Sequence, residues 1–222
     1  MEYEGFSSEW VDVHYQSSHE MDLEPIPTKS NTGKLTLILS SMYGGKSSYL
    51  FRLLETLGYA TRCLYINHAA DIRSNAPFST HNKTLNIEHL SNNLNADMVK
   101  VSKLSEISNE VVSKYSVVCI DEIQFFPDLN ETVRIWVDIL GIEIYAAGLN
   151  GDYKRNLFGQ VHELYPFADE IKLLRDTLCS MCSEKGIRTP ALFTKRIHDT
   201  SGAQIEIGSD NYIPVCRKCF LN

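Results

Sequence analysis

The sequence predicts an α/β protein in which helices flank a parallel sheet and a small metal-stabilised region follows. Short apolar runs, typical of buried parallel strands, alternate with segments whose apolar residues recur at helical spacing. A turn of small residues that ends in Gly45-Lys46-Ser47 separates the first apolar run from the first helical segment. Near the C-terminus, four of the six cysteines form two Cys-x-x-Cys pairs.

The individual elements of the α/β region follow from these two periodicities. Apolar runs predict strands over residues 35–39, 63–66, 117–120 and 142–147. Helical spacing predicts helices over residues 50–57, 104–112 and 129–140, and Gly58 is a suitable end for the first helix. Residues 68–86 are expected to form an exposed loop. The alternation of strand and helix favours a parallel sheet that is covered on both faces.

The chain is predicted to divide into three parts. Residues 1–33 are rich in acidic residues and lack a sustained period, so they are expected to form a flexible tail. Residues 34–175 are assigned to the α/β domain, whose last part is a loop at 148–159. Residues 176–222 contain both cysteine pairs and short β-like runs, and they offer too little core to fold without a metal.

Composition and charge exclude several classes of protein. No apolar run reaches the roughly 18 residues that span a bilayer, and the acidic N-terminus does not resemble a signal peptide. The net charge of −7 lies mostly in residues 1–30, which hold seven acidic residues and one basic residue; the rest holds 21 acidic and 20 basic residues. This distribution lacks the clustered Lys and Arg of a nucleic-acid-binding surface. We expect a cytoplasmic protein that binds neither nucleic acid nor a membrane.

The segment from Leu37 to Ser48 is typical of a phosphate-binding loop. An apolar strand runs into a turn of small residues, and Lys46-Ser47 then opens a helix whose first backbone N–H groups point at an anion. In the usual pattern G-x-x-x-x-G-K-[ST], the Lys reaches the β- and γ-phosphates and the hydroxyl holds Mg²⁺. Gly45 occupies the second glycine position, but Ser40 replaces the first glycine. The segment predicts a P-loop NTPase-like sheet that binds a nucleotide with Mg²⁺.

Asp121 and Glu122 directly follow the predicted strand 117–120. A carboxylate at the carboxyl end of a buried parallel strand projects into the crevice where ligands bind in open α/β sheets. Asp121 is therefore placed to hold Mg²⁺, and Glu122 to act on a nucleophile. Alone, the two acids could equally begin a solvated loop. Their position about 75 residues after a phosphate-binding loop favours the functional interpretation.

The four paired cysteines are predicted to bind a structural Zn²⁺. They are Cys179, Cys182, Cys216 and Cys219. Each Cys-x-x-Cys spacing suits two tetrahedral ligand positions, and two pairs fill a closed site. Without a secretory signal, this spacing favours a metal site over disulfides. Because four thiolates leave no open coordination position, the metal is expected to stabilise structure and not to catalyse.

Several motifs, by their order and spacing, resemble those of thymidine kinases of the cytosolic, zinc-containing kind. The phosphate-binding loop is similar to that family's L-G-P-M-[FY]-[SA]-G-K-[ST] pattern. Asp71-Ile-Arg73 resembles its D-x-R motif, and Thr80-His81 resembles its T-H pair. The other similar segments are residues 121–126, close to D-E-x-Q-F-F, residues 148–159, similar to the loop called the lasso, and residues 205–209, 212 and 216–220, similar to the C-terminal signature. The resemblance covers roughly residues 34–220.

The resemblance implies transfer of the γ-phosphoryl group of ATP to the 5′-hydroxyl of thymidine, and of deoxyuridine, in nucleoside salvage for DNA synthesis. Glu122 would be the general base that accepts the proton of the 5′-hydroxyl. The residues that would bind ATP and Mg²⁺ are Met42, Tyr43, Gly44, Gly45, Lys46, Ser47, Ser48, Asp71, Arg73, Asp121 and Gln124. The residues that would bind the nucleoside are Met42, Phe125, Leu149, Tyr153, Phe158, Ile205, Glu206, Ile207, Gly208, Ser209 and Tyr212.

The resemblance also carries expectations about motion and partners. The lasso would close over the nucleoside and exclude water, which otherwise competes for the phosphoryl group. A homotetramer in the cytoplasm is expected, together with feedback inhibition by the triphosphate product dTTP. These expectations come from the family and not from composition or spacing.

The phosphate-binding loop departs from the family pattern at two positions. Ser40-Ser41 stands where the family has Gly-Pro. If the first position requires a positive φ, a serine there costs about 1 kcal/mol or shifts the turn. Every position expected to contact Mg²⁺ or to move a proton is intact, so we expect activity.

Two alternatives remain open from the sequence. One is another small P-loop ATPase or nucleoside kinase with a structural zinc site, which a panel of nucleosides would distinguish. The other is a zinc-ribbon binding module with a vestigial nucleotide fold. That module would need basic and aromatic residues clustered near the cysteines, whereas the basic residues of this region are interspersed with acids.

Overall fold

A parallel six-stranded sheet organises the protein. The computed structural model describes residues 32–71, 95–198, 202–204 and 211–222. The strands are β1 (Lys34–Ser40), β2 (Cys63–His68), β3 (Ala96–Val101), β4 (Val117–Ile120), β5 (Glu143–Leu149) and β6 (Glu170–Leu173). They lie in the order β3-β2-β4-β5-β1-β6, and every neighbouring pair is parallel. The carboxyl ends of all six strands therefore lie at one edge of the sheet.

Helices and helical turns connect these strands. The α-helices around the sheet are α1 (Lys46–Leu57), α2 (Asn109–Val112) and α3 (Leu129–Arg134), and α3 continues as a π-helical segment over Ile135–Ile139. Turns of 3₁₀ helix span Leu104–Glu106, Ile123–Phe125 and Val161–Phe167. Within the described ranges, no helix is both long enough and apolar enough to cross a membrane.

A smaller unit follows the sheet in the chain. It contains an antiparallel hairpin of β7 (Phe193–Arg196) and β8 (Tyr212–Val215). The short helices α4 (Ser180–Ser183) and α5 (Arg217–Leu221) bring the paired cysteines to this hairpin. The division of the chain into domains at residues 34 and 176 stays a prediction.

The sheet buries side chains on both of its faces, because successive residues of a strand point to opposite sides. On one face, the central strands pack against α3 and its π-helical continuation, where Trp136 is fully buried. On the other face, α1 packs against the same strands through Leu50, Phe51 and Leu54. The predicted parallel sheet with helices on both faces is therefore confirmed.

The four predicted strands are present, but the sequence did not predict β3 and β6. Both are edge strands, so they need not be continuous apolar runs. In β3, Asp97 and Lys100 interrupt the apolar pattern. In β6, the apolar side chains of Ile171 and Leu173 are exposed. The predicted loop over residues 68–86 and the acidic tail lie mostly outside the described residues.

The predicted helix over residues 104–112 is wrong. The chain forms the 3₁₀ turn Leu104–Glu106, and α2 begins only after Ser108, whose hydroxyl accepts a hydrogen bond from the N–H of Val111. The Asp128 carboxylate fixes the start of the turn, because it accepts the backbone N–H groups of Leu104 at 3.1 Å and Ser105 at 2.8 Å. A contact from a distant loop thus overrides the local helical period.

Replacing Asp128 by alanine is expected to destabilise the protein by about 2 kcal/mol at neutral pH, because two backbone donors lose a charged acceptor. Burial raises the pKa of Asp128, but the hydrogen bonds from Ser105 and Leu104 outweigh burial and hold it below its usual range. The stabilisation is therefore present at neutral pH and is lost as the pH falls through that lowered pKa. Urea unfolding of Asp128→Ala and of the exposed control Asp138→Ala measures the effect, and equal stability of the two variants would contradict it.

Candidate active site

The loop between β1 and α1 has the backbone of an anion-binding turn. Tyr43 and Gly45 have left-handed φ angles of 61° and 82°, and Gly45 precedes α1 without a side-chain cap. Left-handed residues in such a turn point successive N–H groups toward one place, and the first N–H groups of the helix remain available to a ligand. Ser40 is the last residue of β1 and is not among the residues with positive φ. The expected backbone strain at Ser40 is therefore absent.

Lys46, the first residue of α1, is buried within this loop. Its side chain is held by two oxygen atoms: Nζ donates to the Ser41 carbonyl at 3.1 Å and to Ser40 Oγ at 3.3 Å. Ser47 and Ser48 follow in the same helical turn and are half-buried. The ammonium group is thus held against the loop that would cradle a phosphate.

The phosphate-binding loop is also anchored to the smaller unit. The backbone N–H of Met42 donates to Thr194 Oγ1 at 2.9 Å, and Thr194 lies on β7. The hydroxyl of Thr177 donates to the carbonyl of Tyr43 at 2.8 Å. Sequence reasoning missed both threonines, since their partners are more than 130 positions away in the chain.

Asp121 lies fully buried at the carboxyl end of β4. One carboxylate oxygen accepts the hydroxyl of Tyr65 at 2.9 Å, and the other accepts the backbone N–H of Glu122 at 2.9 Å. A buried carboxylate with both oxygens hydrogen-bonded has a fixed orientation, and carboxylate oxygens are ligands that hard cations prefer. The strand end therefore presents a preoriented anionic group.

Glu122 has a left-handed backbone, with φ 55° and ψ 41°. This conformation is uncommon for residues other than glycine and clusters at functional sites. The Gln124 side chain restrains it: Nε2 of Gln124 donates to Glu122 Oε2 at 2.6 Å. The other end of the same amide, Oε1, accepts the N–H of Leu149 at 3.1 Å. Because the Leu149 donor fixes which end of the amide is oxygen, the nitrogen must face Glu122.

The phosphate-binding loop and the acidic pair lie at the same edge of the sheet. Strand β5 pairs with both β1 and β4, so one strand separates the two segments. Neighbouring strands are about 4.8 Å apart, so β1 and β4 are about 10 Å apart across the sheet. Groups at this separation can contact one triphosphate from both sides.

Asp71 is positioned at the carboxyl end of β2, beside that crevice. It is buried, and its Oδ2 accepts the side-chain amide of Asn67 at 2.9 Å. Its backbone N–H donates to the carbonyl of His68 at 3.0 Å, and Lys100 Nζ donates to its carbonyl oxygen. Arg73, the other half of the predicted motif, lies outside the described residues.

Two of the predicted nucleoside-binding aromatics come together beside the acidic pair. The rings of Phe125 and Phe158 meet edge to face, with centroids 5.7 Å apart. His68 also lies 5.6 Å from Phe125. His68 was not predicted, although its place at the end of a strand is a signal that could have indicated it. Leu149 is buried at the end of β5.

Arg196 brings together two further predicted residues, Tyr153 and Tyr212. Its guanidinium lies 3.7 Å from the centre of the Tyr153 ring, and it donates to the Tyr212 hydroxyl oxygen at 2.6 Å from one nitrogen and 3.2 Å from another. Stacking on an aromatic face and charged hydrogen bonds are both favourable for a buried guanidinium. Because these partners are distant in sequence, no local pattern indicated Arg196.

The lasso, residues 148–159, is held by a buried aspartate. Asp152 Oδ1 accepts the N–H groups of Lys154 at 2.8 Å and Asn156 at 2.7 Å, which closes a tight turn. Its Oδ2 accepts the side-chain amide of Gln204 at 2.9 Å. The predicted nucleoside-binding residues beyond this point, Ile205, Glu206, Ile207, Gly208 and Ser209, lie outside the described residues.

The four paired cysteines form a candidate metal centre. Their sulfur atoms all lie within 4.8 Å of one another. Cys182 Sγ is 3.6 Å from Cys219 Sγ and 3.8 Å from Cys216 Sγ. In a tetrahedral four-thiolate zinc site with bonds of about 2.3 Å, the sulfurs are about 3.8 Å apart. The cysteines therefore fit a closed tetrahedral site.

Comparison with known sequences covers the part of the chain that contains the loop, the acidic pair and the cysteines. The family described as "Thymidine kinase" matches residues 33–220 of the chain. The chain belongs to the thymidine kinase family.

Individual relatives extend this result. The chain is 30% identical over 196 residues to the cytosolic thymidine kinases of Cricetulus griseus and Homo sapiens, covering 88% of this chain and 76% of each relative. It is 32% identical over 193 residues to the thymidine kinase of Vaccinia virus (strain Western Reserve), covering 86% of this chain and 99% of that protein. The resemblance inferred from the motifs is confirmed. A zinc-ribbon module with a vestigial fold does not account for a thymidine kinase match that spans both the loop and the cysteines.

This member of the thymidine kinase family is expected to bind about one divalent metal ion per chain through the four cysteines. Cys219→Ser should lose most of that metal and unfold at a lower temperature, because the small cysteine-rich unit has little core of its own. Metal content and thermal unfolding measure the effect. Cys63→Ala, which removes a buried thiol of the sheet, is the matched control and should retain the metal.

If Cys219→Ser does not yield folded protein, treatment of the parent protein with a chelator provides the same test. Full thermal stability after the metal has been removed would contradict the structural role of the site.

Proposed function

We propose that this protein transfers the γ-phosphoryl group of ATP to the 5′-hydroxyl of thymidine, which yields dTMP for nucleoside salvage. The observation that carries the proposal is the placement of the phosphate-binding loop and the Asp121-Glu122 pair at one edge of one sheet, in a chain of the thymidine kinase family. Phosphoryl transfer depends mainly on positioning and electrostatic stabilisation, and the residues at this edge would supply both.

The donor phosphates are assigned to the loop between β1 and α1. The backbone N–H groups of residues 43–48 and the start of the α1 dipole would bind the phosphate oxygens. Lys46 would exchange its hydrogen bonds to Ser40 and Ser41 for bonds to the β- and γ-phosphates. Asp71 would orient Arg73 toward the same charge.

The Mg²⁺ that accompanies ATP is assigned to Ser47 and Asp121. Mg²⁺ prefers oxygen ligands and neutralises charge on the transferred group. Asp121 suits this role because two hydrogen bonds hold its carboxylate in a fixed orientation at the end of β4.

Glu122 is assigned as the general base. Its carboxylate would accept the proton of the 5′-hydroxyl as that oxygen attacks the γ-phosphorus. The left-handed backbone and the 2.6 Å hydrogen bond from Gln124 restrict where the carboxylate can point. Gln124 thereby connects the base to Leu149, where the lasso begins.

The nucleoside is assigned to the space between the sheet edge and the lasso. Phe125, Phe158 and Leu149 would pack against the base from the sheet side. Met42, Tyr153 and Tyr212 would complete the apolar wall, and the backbone of residues 205–209 would hydrogen-bond the edge of the base. Closure of the lasso would exclude water from the γ-phosphate.

The remaining assignments follow from the family. The metal of the four cysteines is proposed to be Zn²⁺, on the sulfur spacing given above. Deoxyuridine as a second acceptor, a homotetramer, inhibition by dTTP and a cytoplasmic location are the further properties that the resemblance supports. The relatives from hamster and human are named cytosolic.

The proposed reaction is tested directly with a panel of the deoxynucleosides and Mg-ATP. Formation of the 5′-monophosphate from thymidine and deoxyuridine, but not from the purine deoxynucleosides, supports the assignment. Hydrolysis of ATP without phosphorylation of any nucleoside would favour the alternative of a small P-loop ATPase.

Glu122→Gln is expected to lower turnover at least about 100-fold, the usual scale of general-base catalysis, while ATP affinity is retained. The amide keeps the size of the side chain but cannot accept the proton. Steady-state kinetics and equilibrium binding of Mg-ATP measure the two quantities. Glu131→Gln, an exposed change on α3, is the control, and an unchanged turnover in Glu122→Gln would refute the assignment.

Gln124→Met is expected to lower kcat about tenfold or more, with KM for ATP changed less than about threefold, because the base loses its restraint and the loop keeps its phosphate contacts. Gln160→Met is the matched control, since Gln160 also accepts a backbone N–H, from Asn130 at 2.9 Å. If both variants lose kcat equally, the hydrogen bond to Glu122 has no special role.

A further inference from the structure

The phosphate-binding loop differs from the common pattern in where its glycines stand. In the common pattern the first position is glycine, and here that position is Ser40. Four residues later, Gly44 stands beside the required Gly45. Ser40 is 1% exposed, so its side chain occupies space under the loop and not solvent.

Gly44 and Ser40 approach too closely for both to carry a side chain. A Cβ atom on Gly44 would lie 2.1 Å from Ser40 Oγ, 2.4 Å from Ser40 Cβ and 2.9 Å from the Ser41 carbonyl oxygen. Carbon atoms in contact are normally about 3.5–4.0 Å apart. A rotation of the Ser40 side chain would move Oγ but not Cβ, so the clash would remain.

The need for glycine at position 44 is therefore steric and not conformational. Gly44 is absent from the residues with positive φ, whereas its neighbour Gly45 has φ 82° and has no atom within 4 Å of a built Cβ. Gly44 is thus required because a side chain there would clash, whereas Gly45 is required because of its positive φ. Removing the Ser40 side chain can relieve the first requirement but not the second.

We propose that Ser40 and Gly44 form a compensating pair, and that Ser40 is a positioning residue for the phosphate-binding loop. The side chain that Ser40 adds at the end of β1 takes the space that glycine at 44 leaves empty, so the loop keeps an anion-binding backbone. Ser40 Oγ, which donates to the Ser41 carbonyl at 2.9 Å, also accepts Lys46 Nζ at 3.3 Å. The residue that replaces the usual glycine thus supports the Lys46 ammonium.

A set of variants separates the steric pairing from general damage. Gly44→Ala alone is expected to weaken Mg-ATP binding about 30-fold and to lower the unfolding temperature, because overpacking a site with no spare space distorts the backbone around it. Adding Ser40→Gly should restore binding to within about fivefold of the parent protein, with the remaining loss due to the Ser41 contact and the missing hydroxyl.

Two controls make the rescue specific. Ser40→Ala should not restore the affinity or stability of Gly44→Ala, because alanine at 40 retains the Cβ that lies 2.4 Å from a Cβ at position 44. Ser40→Gly should not restore the affinity or stability of Gly45→Ala either, because alanine at 45 is strained by the positive φ and not by a contact with Ser40. Equilibrium binding of Mg-ATP and thermal unfolding are measured for every variant.

The results decide the proposal in each case. The proposal is supported if Ser40→Gly, but not Ser40→Ala, restores stability and Mg-ATP binding to the Gly44→Ala protein. This holds even if Gly44→Ala by itself does not fold. Gly44→Ala with the affinity and stability of the parent, or a Ser40→Gly/Gly44→Ala protein no better than Gly44→Ala, would overturn it. The affinity measurement rests on the proposed function, but the unfolding temperatures do not. A parent protein that does not bind Mg-ATP would therefore reject the function while the stability data still test the pair.

Discussion

The parallel direction of the strands is the constraint on which the candidate site depends. Because every pair in the sheet is parallel, the chain leaves β1, β2, β4 and β5 at the same edge. Residues that are far apart in sequence, such as Lys46 and Glu122, are thereby placed at one edge of the sheet, where ligands bind in open α/β folds. The two buried faces of the sheet make this arrangement rigid, since a strand covered on both sides cannot shift its register without exposing apolar side chains. The stability of the core and the precision of the site therefore have the same origin.

The sequence predicted those parts of the protein whose signals are local. Continuous apolar runs identified the central strands, and the small-residue turn before Lys46 identified the loop, because in both cases neighbouring residues carry the pattern. Prediction from the sequence failed where a contact with a distant segment determines the local structure. Asp128 divides the predicted helix 104–112 by binding backbone donors of another segment. Arg196 gains its position only once β7 and the lasso are in place.

Glu122 shows a different limit of sequence reasoning. The sequence predicted that Glu122 follows β4 as a candidate base. It did not predict the left-handed backbone of Glu122 or the orientation that Gln124 gives to its carboxylate. A strained conformation persists only when surrounding contacts fix it, and here the restraint passes through a glutamine amide to the start of the lasso. The Ser40 position is a similar case, because a substitution that is unfavourable on the motif alone is accommodated by glycine four residues later.

The hydrogen bonds from the phosphate-binding loop to Thr194 and Thr177 link two units that differ in what stabilises them. The sheet is stabilised by its apolar core, whereas the hairpin packs only a small apolar cluster beside the four clustered cysteines. Free energy gained if the four sulfurs bind an ion would therefore also stabilise the loop that is proposed to bind the phosphates. We therefore expect the supply of metal and the oxidation of the thiols to alter nucleotide affinity, although the metal takes no part in the proposed reaction.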